Sequence, residues 1–202
     1  MKQLILIAGF FFLLIQPMTA QTDSIKTMRS KSGAEKKIME IKKIFPLSPS
    51  QEQALKKAYT VSQQQSDSIL FNVSDPTQAA ILKYQSEKQL KETLMATLTE
   101  EQQIQYLTVT ATPDVLMITE AKVQLLRESG EYTEEELSQK HKEIFDYLIV
   151  ERIASMRDRF NIAKQRDSIH RLKKVQPASL SESDTLEKMK AEGRVNNGKV
   201  KW

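Results

Sequence analysis

The chain has no cysteine. Disulfide stabilisation, thiolate metal ligation, a cysteine nucleophile and acylation of a lipoprotein cysteine are all excluded, and stability has to come from packing. Glycine is scarce, with five in 202 residues. No strand-like alternation recurs between turn signals, so the chain reads as helical. Histidine is limited to His141 and His170, 29 positions apart. On a helix that separation is about 43 Å of rise. The two cannot share one metal within a chain, and neither a His-x3-His nor a Glu-x-x-His pair is present. His141 shares a helical face with Leu137 and Phe145, which reads as a partly buried histidine rather than a ligand.

Catalytic constellations are missing as well. There is no Gly-x-Ser-x-Gly, no Gly-rich phosphate loop and no His-Glu-x-x-His. The acidic clusters Glu100-Glu101 and Glu134-Glu135-Glu136 fall in first helical turns, where the helix dipole accounts for them. The chain therefore reads as a non-enzyme without metal or cofactor. An excess of one charge is also lacking: 30 Lys and Arg face 26 Asp and Glu, a formal net of +4. The two signs are mixed along the chain, which is not the clustered footprint of a nucleic-acid binder.

Long apolar runs are absent except for Leu4 to Ile15, behind Lys2 and ahead of Gln16-Pro17-Met18-Thr19-Ala20. Spanning a bilayer takes roughly 20 apolar residues, so this run reads as a signal peptide over 1–20. That implies export to the periplasm, with no integral membrane span after cleavage. Residues 21–33 read as a flexible linker, 34–175 as a helical domain and 176–202 as a mostly disordered tail, with at most a short helix around Thr185 to Ala191.

Within the helical domain, Ile38, Ile41, Ile44 and Phe45 recur at helical steps and stop at Pro46. Asp75-Pro76 opens another helix, Thr112-Pro113-Asp114 restarts or kinks one, and Gly130 stops it. Tyr132-Thr133-Glu134-Glu135-Glu136-Leu137 combines a capping box with a hydrophobic staple. It opens one long C-terminal helix from Glu134 to about Lys174. Phe145, Ile149, Ile153, Met156, Phe160 and Ala163 space a coiled-coil-like seam along it. The fold class expected is all-α, with amphipathic helices in an elongated or bundle-like arrangement.

Two helix openings are alike. In Leu47-Ser48-Pro49-Ser50-Gln51, Ser48 is the cap and Gln51 the residue that reaches back. In Leu98-Thr99-Glu100-Glu101-Gln102, Thr99 and Gln102 take those places. Leu47, Ser48, Gln51, Leu98, Thr99 and Gln102 thus satisfy orphan N–H groups at helix starts. The pair resembles the LTxxQ motifs of the Spy/CpxP family of periplasmic proteins, one match complete and the other with serine for threonine, over roughly Ala34 to Thr112. The resemblance implies an ATP-independent chaperone or envelope-stress adaptor that binds unfolded or envelope proteins, with a homodimer as one assembly. It carries over no catalytic residue, and the histidine-rich segments of the family's zinc-responsive branch are absent.

The residues add a physical argument of their own. Amphipathic helices this long, in a chain with 6% aromatics, leave apolar stripes that one compact core does not cover, available to a partner. Gln63, Gln64 and Gln65 supply an uncharged polar face that reads first as solvated surface. The alternative expectation is a structural or adaptor protein that packs its long helix against one specific envelope partner.

Overall fold

The structure, a computed structural model, describes residues 32–192 and the short backbone segments 195–196 and 199–200. The signal-peptide reading of 1–20 and nearly all of the 21–33 linker lie outside the described residues. Helix α1 covers residues 32–42. It is followed by α2 (Pro49–Asn72), α3 (Pro76–Thr97), α4 (Glu100–Ser129), α5 (Glu134–Arg157), α6 (Ile162–Lys173) and α7 (Ala178–Ala191). The fold is all-α; among the described residues, apart from the helices, only the two-residue segments Val195–Asn196 and Lys199–Val200 pair, antiparallel. No helix among the described residues is long and apolar enough to cross a membrane.

The helix ends follow from local chemistry. The Ser48 and Thr133 hydroxyls accept from the N–H three residues on, and Gln51 and Glu136 return the bond to the cap N–H. The Asp75 carboxylate accepts from the N–H groups of Thr77 and Gln78, with Pro76 at the first helical position. Gly130 ends α4 at φ 72°, a left-handed conformation that glycine takes without a Cβ penalty. Pro113 lies inside α4 without ending it. It cannot donate to the Val109 carbonyl four residues earlier.

The chain divides into two compact units, Met1–Gln103 and Ile104–Trp202, where the sequence pattern suggested one domain over 34–175. In the first unit, Ala34, Ile38, Ile41 and Phe45 supply one buried face, and Leu55, Leu94 and Leu98 are buried with it. In the second, Val123, Leu126, Leu137, Ile144 and Leu180 form a buried cluster, with Tyr132, Tyr147, Leu148 and Leu186 packed against it.

Two expectations are corrected. The single helix from Glu134 to Lys174 is two helices, because residues 158–161 form a turn closed by the Asn161 N–H donating to the Asp158 carbonyl at 2.8 Å. Asn161 then caps α6 by accepting from the Lys164 N–H. Gln165 bridges the break with bonds to the Ser155 carbonyl and hydroxyl. Asp158 itself is 5% exposed, with Lys164 3.6 Å away. The seam residues Phe145 to Phe160 are half-buried and Ala163 is exposed. The apolar period ran on through these positions, and it masked a capping asparagine.

The second correction concerns the tail. Residues 178–191 form α7 rather than a mostly disordered segment. Leu180 is 4% exposed within the cluster, a burial worth about 1.5–3 kcal/mol. Polar contacts hold the helix along its length: Lys122 with Asp184 and Glu187, Lys190 with Glu128, Lys140 with Glu182, and Ser179 with Glu143.

Tyr132 also donates to Glu182, at 2.9 Å. That bond, then burial and neighbouring carboxylates, pushes its phenol up to about 12. Burial works against the Lys122 ammonium, but the bonds to Asp184 and Glu187 outweigh it and hold the group above 10.5. Both folded-state values lie above the unfolded ones, so protonation of these groups favours the folded unit at neutral pH. The Tyr132 contribution declines above pH 10, its unfolded value, and is lost as pH passes about 12. In a phenolate absorbance titration, Tyr132 should ionise near that upper value, and Tyr132→Phe should remove the step.

Candidate functional site

The six motif residues predicted from sequence come together, and they do more than cap. The two openings are related by a shift of 51 positions, with Pro46 corresponding to Thr97, Ser48 to Thr99 and Gln51 to Gln102. Each glutamine oxygen accepts from the cap N–H of its own helix: Ser48 to Gln51 at 3.0 Å, Thr99 to Gln102 at 3.0 Å. Each glutamine amide nitrogen donates across to the backbone carbonyl that precedes the other motif. Gln51 Nε2 reaches the Thr97 carbonyl at 3.0 Å, and Gln102 Nε2 reaches the Pro46 carbonyl at 3.0 Å. Gln51 Nε2 also donates to Gln102 Oε1 at 2.8 Å.

The network sets the amide orientations. Turning Gln102 over would place its NH2 against the Thr99 N–H and its oxygen against the Pro46 carbonyl, two repulsive contacts. Thr97 ends α3, so its carbonyl is an orphan acceptor of that helix. A single side chain therefore satisfies a donor at the start of its own helix and an acceptor outside the other motif. Leu98 is 5% exposed and Leu47 is half-buried beside this lock. Neutral, half-buried amides bonded only to backbone and to each other hold chain segments in place; they offer no nucleophile and no proton donor suited to catalysis.

The lock and the buried apolar residues share one end of the α2–α3 hairpin. Leu55 is the only buried residue of α2, and α3 buries only Ser86 and Leu94. Toward the connection between α2 and α3, burial runs out. Leu70, Phe71, Ile81 and Tyr84 are 74, 62, 53 and 50% exposed. Four large apolar side chains within 15 positions, left at the surface on both arms of one hairpin, form the candidate binding surface.

Between the arms, the Ser86 hydroxyl donates to Gln65 at 2.7 Å. An open groove of about 300 Å³ is lined there by residues that include Val61, Gln65, Gln89 and Leu90. Gln63 donates to Asp67, and Gln64 is exposed. The glutamine run thus divides between an interhelical bond, a bond along α2 and solvent.

Ile69, Leu70 and Phe71 run in sequence up to the end of α2 at Asn72. The usable signal was an apolar triplet set against a break, where no third helix is near enough in sequence to cover it. His141 is half-buried and lies 3.1 Å from Glu120, while His170 is exposed on α6. Among the described residues no three His, Cys, Asp or Glu side chains gather as a metal site. No family model, curated protein or solved structure matches the chain.

Proposed function

We propose that the chain is an exported protein-binding protein of the Spy/CpxP-like kind, which holds unfolded or envelope proteins in the periplasm without catalysis, nucleotide or metal. The observation that carries this reading is the exposure of Leu70, Phe71, Ile81 and Tyr84 at the far end of the α2–α3 hairpin. Apolar surface left uncovered beside uncharged glutamines suits clients that differ in sequence but share exposed apolar segments. The reciprocal glutamine lock supports the reading from the other end. It anchors the hairpin's base, so the arms present the surface from a defined support. The adaptor alternative draws less support, since the 134–174 stretch offers two helices rather than one continuous face.

The test is suppression of aggregation of an unrelated denatured protein at near-equimolar ratio. The parent should suppress. The variant Leu70→Ser, Phe71→Ser, Ile81→Ser, Tyr84→Ser should need at least about tenfold more protein for the same effect, since a loss of ~1.4 kcal/mol in binding is already tenfold. Circular dichroism checks that helix content is kept. Equal suppression by parent and variant, or none by the parent, removes the proposal. A pull-down that returns one stoichiometric partner favours the adaptor reading.

A further inference from the structure

Helix α6 contributes no residue to the buried cluster of the second unit. It buries no residue. Ile162 at its start is 67% exposed and Val175 just past its end is 71% exposed. Ile162, Arg166, Ile169 and Lys173 follow each other at three- and four-residue steps and, with Gln165 and His170, line one open groove of about 320 Å³. An exposed and a half-buried isoleucine therefore share one face of the helix with Arg166 and Lys173.

The charge is concentrated to match. Residues 157–174 hold seven Lys and Arg against two acids, a net of +5, while the whole chain carries +4. Everything outside this stretch nets −1. Of the two acids, Asp158 is buried and already contacted by Arg157 and Lys164. Arg166, Lys173 and Lys174 make no ion pair among the described residues. Helix stability does not explain the pattern: the dipole favours the cations at the C-terminal end of α6, but it disfavours Lys164 and Arg166 near the N-terminal end, where no acid sits in the first turn.

We infer that α6 is an interfacial helix that lies on an anionic lipid surface. Ile162 and Ile169 sit at the acyl boundary. Arg166, Lys173 and Lys174 extend their stems along it to reach the phosphate headgroups. A short basic helix with an exposed and a half-buried isoleucine fits a bilayer surface better than a soluble polyanion, which would neutralise the cations and leave Ile162 in water. The proposal uses no residue of the hairpin, so it stands or falls independently of the chaperone reading.

Because the chain has no cysteine, a single introduced thiol reports one position. The full chain with Ile162→Cys carries an environment-sensitive dye and is titrated with phosphatidylglycerol vesicles and with phosphatidylcholine vesicles. A blue shift is expected with the anionic vesicles alone, reversed by high salt, and absent from a control dye at Lys83→Cys on α3. Adding Arg166→Gln, Lys173→Gln and Lys174→Gln should raise the lipid needed by about a hundredfold, at about fivefold per cation. An equal shift on neutral vesicles, no effect of the three substitutions or of salt, or an equal shift at the control position overturns the proposal. Displacement of the vesicles by short duplex DNA at matched charge overturns it in favour of a soluble polyanion.

Discussion

Replacing both Gln51 and Gln102 with alanine should destabilise the unit ending at Gln103 by about 3–5 kcal/mol. The two side chains together make five hydrogen bonds: to Ser48, Thr97, Thr99, Pro46 and each other. Each is worth about 1 kcal/mol net, and half-buried partners left unpaired add to the loss. Against a typical total of about 5–15 kcal/mol for a domain, that is a large fraction. Each single substitution should cost about 2 kcal/mol, and the double-mutant cycle should show coupling of about 1 kcal/mol through the amide–amide bond. Denaturant melts of the four proteins by circular dichroism provide the measurement. Gln51→Glu separates the two jobs of the side chain. A carboxylate still accepts from the Ser48 N–H but cannot donate to the Thr97 carbonyl, so it should recover the cap and not the lock. If the double variant melts within 1 kcal/mol of the parent, the bonds across the motifs carry no weight.

Leu126→Ala should cost about 3–4 kcal/mol in the second unit, by lost burial and by the cavity left behind. Leu126 is fully buried in the cluster that Leu180 of α7 joins. The effect should therefore reach α7, and amide exchange over 178–191 at neutral pH should accelerate in the variant. Two results would count against this packing: a cost below 1 kcal/mol, or rapid exchange of 178–191 already in the parent. The second outcome would return the segment to the disordered tail that its composition suggested.

The motif residues were legible as caps because a capping bond spans three residues and needs nothing beyond them. Their cross-bonding was not legible. Gln51 and Gln102 repeat at the same place in two openings, but repetition alone says nothing of whether the openings meet. The tail misled for a related reason. Leu180 and Leu186 are sparse apolar residues among Ser, Glu and Lys, too few to mark a helix that must hold itself together. They suffice once Leu126, Leu137 and Ile144 receive Leu180. At 158–161 the sequence carried the break in plain view as Asn161, yet an apolar period that counted steps across it hid the signal.

The amino-acid order by itself determined the all-α class, most helix starts and the stop at Gly130, because proline rings, capping oxygens and a glycine with φ 72° act over one turn of chain. The pairing of the glutamines, the docking of α7 and the exposure of Leu70, Phe71, Ile81 and Tyr84 were decided only by the tertiary structure. Those features depend on which surfaces meet across tens of residues, and whether an apolar side chain is covered is a property of its neighbours in space rather than of its own position in the chain.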